Sequence, residues 1–72
     1  MQPQQQFGAD LRRLRLAAGL SQMELGDRAS LHFSEISRLE RGLRDPRLTT
    51  VVRLARALGV APAELLPGPS PT

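Results

Sequence analysis

Apolar residues recur along this chain at helical spacing, in segments punctuated by glycine and proline. Phe7, Leu11, Leu14 and Ala18 fall on one stripe and predict a helix over residues 7 to 18, closed by Gly19. Leu25 and Ala29 mark a second, shorter helix. Its start is signalled by Ser21 with Glu24 three positions later, a pairing in which each side chain satisfies a free backbone N–H of the other residue. Ile36 and Leu39 mark a third helix, over about 33 to 41, with Gly42 directly after it. After a loop at 43 to 47, the inward set Leu48, Val51, Leu54, Ala55 and Leu58 predicts a fourth helix over 48 to 58, ended by Gly59. Pro62 suits the first turn of a short last helix at 62 to 66, and Pro67 stops it. The polar start MQPQQQ and the Pro-rich end PGPSPT read as flexible tails, residues 1–6 and 67–72, around a single domain at 7–66. Five helices with short connections predict a compact all-α domain.

The second and third helices are informative beyond their existence. Gly26 lies beside the stripe of the second helix, where a glycine costs ~1 kcal/mol relative to alanine; the close approach of another helix is the expected reason. On a wheel of the third helix, Phe33, Ser34, Ser37, Arg38 and Arg41 share an arc of about 140°. Ile36, Leu39 and Glu40 lie opposite, with Glu35 at the border. One face is therefore built for a core, and the other carries two arginines, two serines and a phenylalanine without an acid. Two short helices joined by a tight turn, the second with such a face, form the layout of a helix-turn-helix, which sets one helix into the major groove of DNA.

The segments LSQMEL at 20–25, ISRLERG at 36–42 and RLARALGV at 53–60 occur in an order and spacing that resemble the phage-repressor and Cro-like helix-turn-helix family, which includes the xenobiotic-response-element regulators. The resemblance spans residues 7 to 66. It implies a lambda-repressor-like fold with the helix-turn-helix at helices 2 and 3, and a sequence-specific transcriptional regulator acting on double-stranded DNA as a homodimer. Arg38 is the main candidate for base reading, because its planar fork fits guanine O6 and N7. Ser34 is placed to reach a base edge or phosphate. Phe33 would press on thymine methyl groups, or fold back onto the core. Gln22, His32, Ser37, Arg41, Arg44 and Arg47 are the candidates for backbone contact, with capping of the third helix as a second role open to His32. Arg15 and Glu40 are implied to meet as a structural ion pair between the first and third helices. Four positions depart from the family pattern. Ser30 stands where glycine is usual, in a turn that commonly takes the left-handed conformation. His32 stands where a capping serine is frequent, and Phe33 where a polar residue is. Glu35 stands where tyrosine is frequent, and must turn from phosphate, pair with an arginine, or accept from a cytosine amino group.

Composition narrows the alternatives. Seventy-two residues make at most one domain, with little room for an enclosed catalytic pocket. Without cysteine and with a single histidine, neither a disulfide framework nor a zinc site is expected. No nucleophile–base pair or glycine-rich phosphate loop is visible, so an enzyme and a cofactor are not expected. No apolar run approaches the length of a membrane span, and the start lacks the apolar core of a signal peptide; both point to a cytoplasmic location. The net charge of +3 comes from ten arginines and no lysine against seven acids, so every cation is a fork suited to phosphate and guanine. No small-molecule ligand is expected. Val60, Ala63 and Leu66 are the candidate dimer surface, and Leu16 faces away from its own stripe. An antitoxin or a protein–protein interaction module on the same fold is the alternative function; the arginines at 38, 41 and 44 argue against the module.

Overall fold

Residues 2 to 66 are described in a computed structural model of the chain. Four α-helices follow in order, α1 Pro3–Ala17, α2 Gln22–Ala29, α3 Phe33–Glu40 and α4 Leu48–Leu58, and a 3₁₀ turn at Pro62–Glu64 completes the described chain. The radius of gyration, 11.2 Å, is that of a single packed domain of this length, ~11 Å.

The first helix starts earlier than its apolar stripe indicates. Residues 3 to 6, expected in an N-terminal tail, form the first turn of α1. Pro3 stands at the first helical position, where its fixed φ suits a helix and its missing N–H costs nothing. Behind it the Gln5 side chain accepts the Gln2 N–H at 3.3 Å. Gln6 donates to both carboxylate oxygens of Asp10 at 3.2 Å. These polar bonds extend the helix beyond its contact with the core. The expected C-terminal tail at 67–72 lies outside the described residues.

The core is Phe7 and Leu11 of α1, Leu25 and Ala29 of α2, Ile36 and Leu39 of α3, and Val51, Leu54 and Ala55 of α4. Leu20 and Leu65, from the segments after α1 and after the 3₁₀ turn, join it. Leu14 and Leu58 pack against this cluster from its margin. Two residues expected inward are exposed. Ala18 is the C-cap of α1, and the buried place on that last turn belongs to Arg15. Leu48 is 71 % exposed although it lies on the α4 stripe. As the first residue of α4, it projects its side chain toward the helix N-terminus and off the end of the core. The expected fifth α-helix at 62–66 is instead a single 3₁₀ turn. The Leu65 N–H bonds the Pro62 carbonyl at 3.0 Å, and four residues between two prolines are too few to nucleate an α-helix.

Two glycines allow α3 to sit close to its neighbours. A Cβ on Gly26 would lie 2.5 Å from the Leu31 carbonyl oxygen and 3.4 Å from the Phe33 nitrogen. What closes on Gly26 is thus the turn entering α3, and not the flank of another helix as expected. A Cβ on Gly8 of α1 would collide with the Leu39 carbonyl and lie 2.5 Å from that of Glu40. The C-terminal end of α3 therefore rests directly on the backbone of α1. Ser30 caps α2 in the left-handed region, at φ 58°, and is the one non-glycine residue with positive φ among the described residues. α3 packs against α1 and α2, while α4 packs against α2 and the 3₁₀ turn. The inner face of α3 is thereby consumed and its outer face left free.

Candidate nucleic-acid interface

The start of α3 is fixed by its first two polar side chains. His32 is the N-cap: its Nδ1 accepts the Ser34 N–H at 3.2 Å and lies 2.7 Å from the Ser34 hydroxyl. In the neutral ring this leaves the proton on Nε2, as an outward donor. The His32 ring also lies against Phe33, with centroids 4.7 Å apart and planes at 31°. Phe33 is 43 % exposed, so it remains on the surface and does not fold back onto the core.

The outward face then runs through Ser34, Ser37, Arg38 and Arg41. Arg38 and Arg41 are exposed, and neither takes part in an ion pair among the described residues. Arg41 Nε donates to the Ser37 carbonyl at 3.4 Å, which leans its guanidinium along the same face. Ser34 and Ser37 are half-buried between the longer side chains. The two acids of α3 are both withdrawn. Glu35 faces Arg44, with Arg44 Nη1 and Glu35 Oε1 3.9 Å apart. This is the second of the three postures open to that glutamate, and it leaves Arg44 itself more than half exposed. Arg47 is the exposed N-cap residue of α4, without a side-chain bond of its own to the helix.

Glu40 is held deeper. Arg15 Nε donates to its Oε2 at 2.6 Å and Arg15 Nη2 to its Oε1 at 3.1 Å, a two-pronged pair whose side chains are only 9 % and 3 % exposed. Arg15 Nη1 donates to the Leu20 carbonyl at 2.9 Å. The hydrogen bond to Glu40 pushes the Arg15 guanidinium above its ordinary pKa, against the opposing effect of burial. Gln22, at the first position of α2, donates its Nε2 to Glu40 Oε1 at 3.2 Å. One carboxylate thus ties α1, α2 and α3 together behind the outward face. Sequence reasoning missed this use of Gln22, which it placed among the contacts to the DNA backbone. The α2 start itself has the expected reciprocal cap, Glu24 N–H to Ser21 Oγ at 3.0 Å and Ser21 N–H to Glu24 Oε1 at 2.9 Å. The backbone and side-chain bonds from Ser21 hold the Glu24 carboxyl below its ordinary pKa.

No group of three or more His, Asp or Glu is placed to hold a metal ion among the described residues. Two clefts of the described chain, of about 220 and 280 Å³, are small and open. No helix of the described chain is long and apolar enough to cross a membrane.

Comparison with known proteins agrees with this geometry. The family described as "Helix-turn-helix domain" matches residues 6–67. The uncharacterized HTH-type transcriptional regulator y4dJ of Sinorhizobium fredii is 42 % identical over 59 residues, covering 82 % of this chain and 77 % of its own. The restriction-modification controller protein C.AhdI of Aeromonas hydrophila superposes with a TM-score of 0.85 at 41 % identity, over 88 % of this chain and 96 % of its own. The DNA-binding domain of the P22 C2 repressor superposes with a TM-score of 0.82 at 28 % identity, over 90 % of this chain and 84 % of its own. The chain belongs to the helix-turn-helix domain family, among its repressor and Cro-like regulators.

Proposed function

We infer that this chain is a sequence-specific transcriptional regulator that binds double-stranded DNA by laying the N-terminal half of α3 in the major groove. The observation that carries this reading is the free outer face of α3. Arg38 and Arg41 stand there outside any ion pair among the described residues, while Glu40 is bound to Arg15 behind the face and Glu35 is turned to Arg44 at its border. A helix whose cations are available on its outer face and whose acids lie off that face suits a polyanion. The likeness to C.AhdI, a restriction-modification controller protein, and to y4dJ, an uncharacterized HTH-type transcriptional regulator, supports the same reading.

Within that frame Arg38 reads a base, with Phe33 and Ser34 beside it. Ser37, Arg41, Arg44 and Arg47 grip the phosphate backbone and set register, and carry no sequence information themselves. His32 adds its outward Nε2–H. Gln22 retains a second amide hydrogen for phosphate while the first is held by Glu40. The protein acts as a homodimer on a near-palindromic site, with half-sites one turn apart, ~34 Å. Val60, Ala63 and Leu66, half-buried or exposed at the end of the fold, form the subunit contact.

Selection from a random duplex pool tests this directly. The expected result is one enriched motif with two inverted half-sites about one helical turn apart. Failure to enrich any duplex even at low salt, where binding is strongest, would refute the reading and leave a protein-binding module in its place.

A further inference from the structure

Three arginines line one cleft at a place that the DNA-reading face does not use. Arg28, in the last turn of α2, and Arg53 and Arg56, one turn apart on α4, line an open cleft of about 220 Å³ with Ala29 and Ser30. None of the five belongs to α3 or to the α3–α4 connection. None of the three arginines is in an ion pair among the described residues. Arg28 does lie near enough to Glu24 to help lower that carboxyl's pKa, though this is a minor cause beside the bonds from Ser21. Guanidinium groups stay charged at any working pH, so three of them around one cleft attract an anion. A second, independent observation falls at the same spot. Ser30 is the non-glycine residue held at positive φ, in the strained turn between α2 and α3. Ser30 lines the cleft, and its hydroxyl makes no hydrogen bond among the described residues. The position holds a hydroxyl where a glycine would be unstrained.

We propose that this cleft is an anion site for a phosphate group, gripped by Arg28, Arg53 and Arg56 and by the Ser30 hydroxyl. Phosphate fits better than a carboxylate by charge and by shape. A terminal phosphate carries nearly two charges and three acceptor oxygens, which matches three forks and a hydroxyl. A single carboxylate would leave two of the three cations uncompensated. Recognition ends at the phosphate. The two phenylalanines of the chain, Phe7 and Phe33, are in the core and on α3, so no aromatic ring lines the cleft to stack on a base. Such charge has two sources, the terminal group of a free oligophosphate or successive phosphodiesters, one charge each, of the DNA backbone beyond the tract covered by α3.

The intact chain, labelled with nitrogen-15 and titrated with inorganic pyrophosphate at ionic strength held constant with sodium chloride, tests the site. Saturable shifts are expected at the amides of 28–30 and 53–56, with smaller changes along α3. Arg53→Gln with Arg56→Gln should weaken pyrophosphate binding about tenfold or more. Both residues are exposed, so an unchanged circular dichroism spectrum is expected; Arg28→Gln provides a second variant if it changes. Three outcomes overturn the proposal: no saturable binding, an equal loss from Arg38→Gln, or equally tight binding of an oligo-glutamate peptide. The source is decided by comparing the selected duplex with the same duplex lengthened at both ends. A gain in affinity on lengthening that the double variant loses assigns the site to DNA backbone; a gain unaffected by the variant, or none, assigns it to free oligophosphate. The pyrophosphate titration needs no operator, so its result stands apart from the reading of α3.

Discussion

At the scale of single residues, the interface divides into side chains that are spent and side chains that are free. Arg15 and Arg38 are both arginines, yet one is buried in a two-pronged pair and the other stands in solvent. Arg38→Ala should therefore leave folding nearly untouched and cost ~1–3 kcal/mol on the preferred duplex, with choice relaxed at one base pair. Repeating the selection with the variant checks this, and an unchanged motif would remove Arg38 from the reading role. Arg15 and Glu40 behave oppositely. Either one replaced by alanine should cost ~3–5 kcal/mol of stability, because the partner left behind is a buried, unpaired charge. The double replacement should cost clearly less than the sum. Urea denaturation of the two single variants and the double one measures this coupling, and strictly additive losses would mean that the pair does not act as a unit. The pair could be placed from sequence because family resemblance carries it. Gln22 as its third member could not, since a hydrogen bond between residues 22 and 40 leaves no periodic trace in the chain.

At the scale of elements, hydrophobic spacing located every helix and missed mainly where polar or terminal chemistry decides. α4 runs from Leu48 to Leu58 as its stripe and Gly59 predict. α1 gained a turn from Pro3 and two glutamines that touch no core, and the last helix shrank to a 3₁₀ turn between prolines. Leu48 shows that a residue can lie on the right stripe and still be exposed at the end of it. The close approaches are a subtler case. Glycine inside a helix announced a tight contact at Gly26, and the same signal at Gly8 went unread. The left-handed turn at Ser30 was legible from the departure itself, because a family position that favours glycine was filled by serine. Ser30→Gly should stabilise the domain by ~0.5–1 kcal/mol, the relief of strain being offset in part by the greater freedom of glycine in the unfolded chain. The urea midpoint reports it; a midpoint that stays or falls would show that the turn is unstrained. In the same variant the proposed phosphate cleft loses a hydroxyl, so a gain in stability with a loss of pyrophosphate affinity would tie the strain to the site.

At the scale of the whole molecule, what matters is how three crossings distribute ten arginines, and no stretch of sequence contains a crossing. Read singly, Arg28, Arg53 and Arg56 are solvated charges; only the packing of α2 on α4 brings them to one cleft. The packing of α3 on α1 and α2 turns its outer face to solvent with the α3–α4 connection beside it, and there the field is mixed and not uniformly basic. Glu35 sits within that connection's reach and holds Arg44 at 3.9 Å, across a gap wide enough for solvent to weaken the attraction. An incoming phosphate can take Arg44 from so loose a partner, and the exchange does not depend on which bases lie in the groove. Arg44→Ala should therefore weaken every duplex to a similar degree and lower the slope of log K against log salt by ~0.9, the share of one neutralised phosphate. Titrations of the selected site and of an unrelated duplex over the same salt series measure both quantities. A loss confined to the selected site would make Arg44 a reader. An unchanged slope would mean that its charge stays with Glu35 on DNA, and the backbone grip would then rest on Arg41 and Arg47.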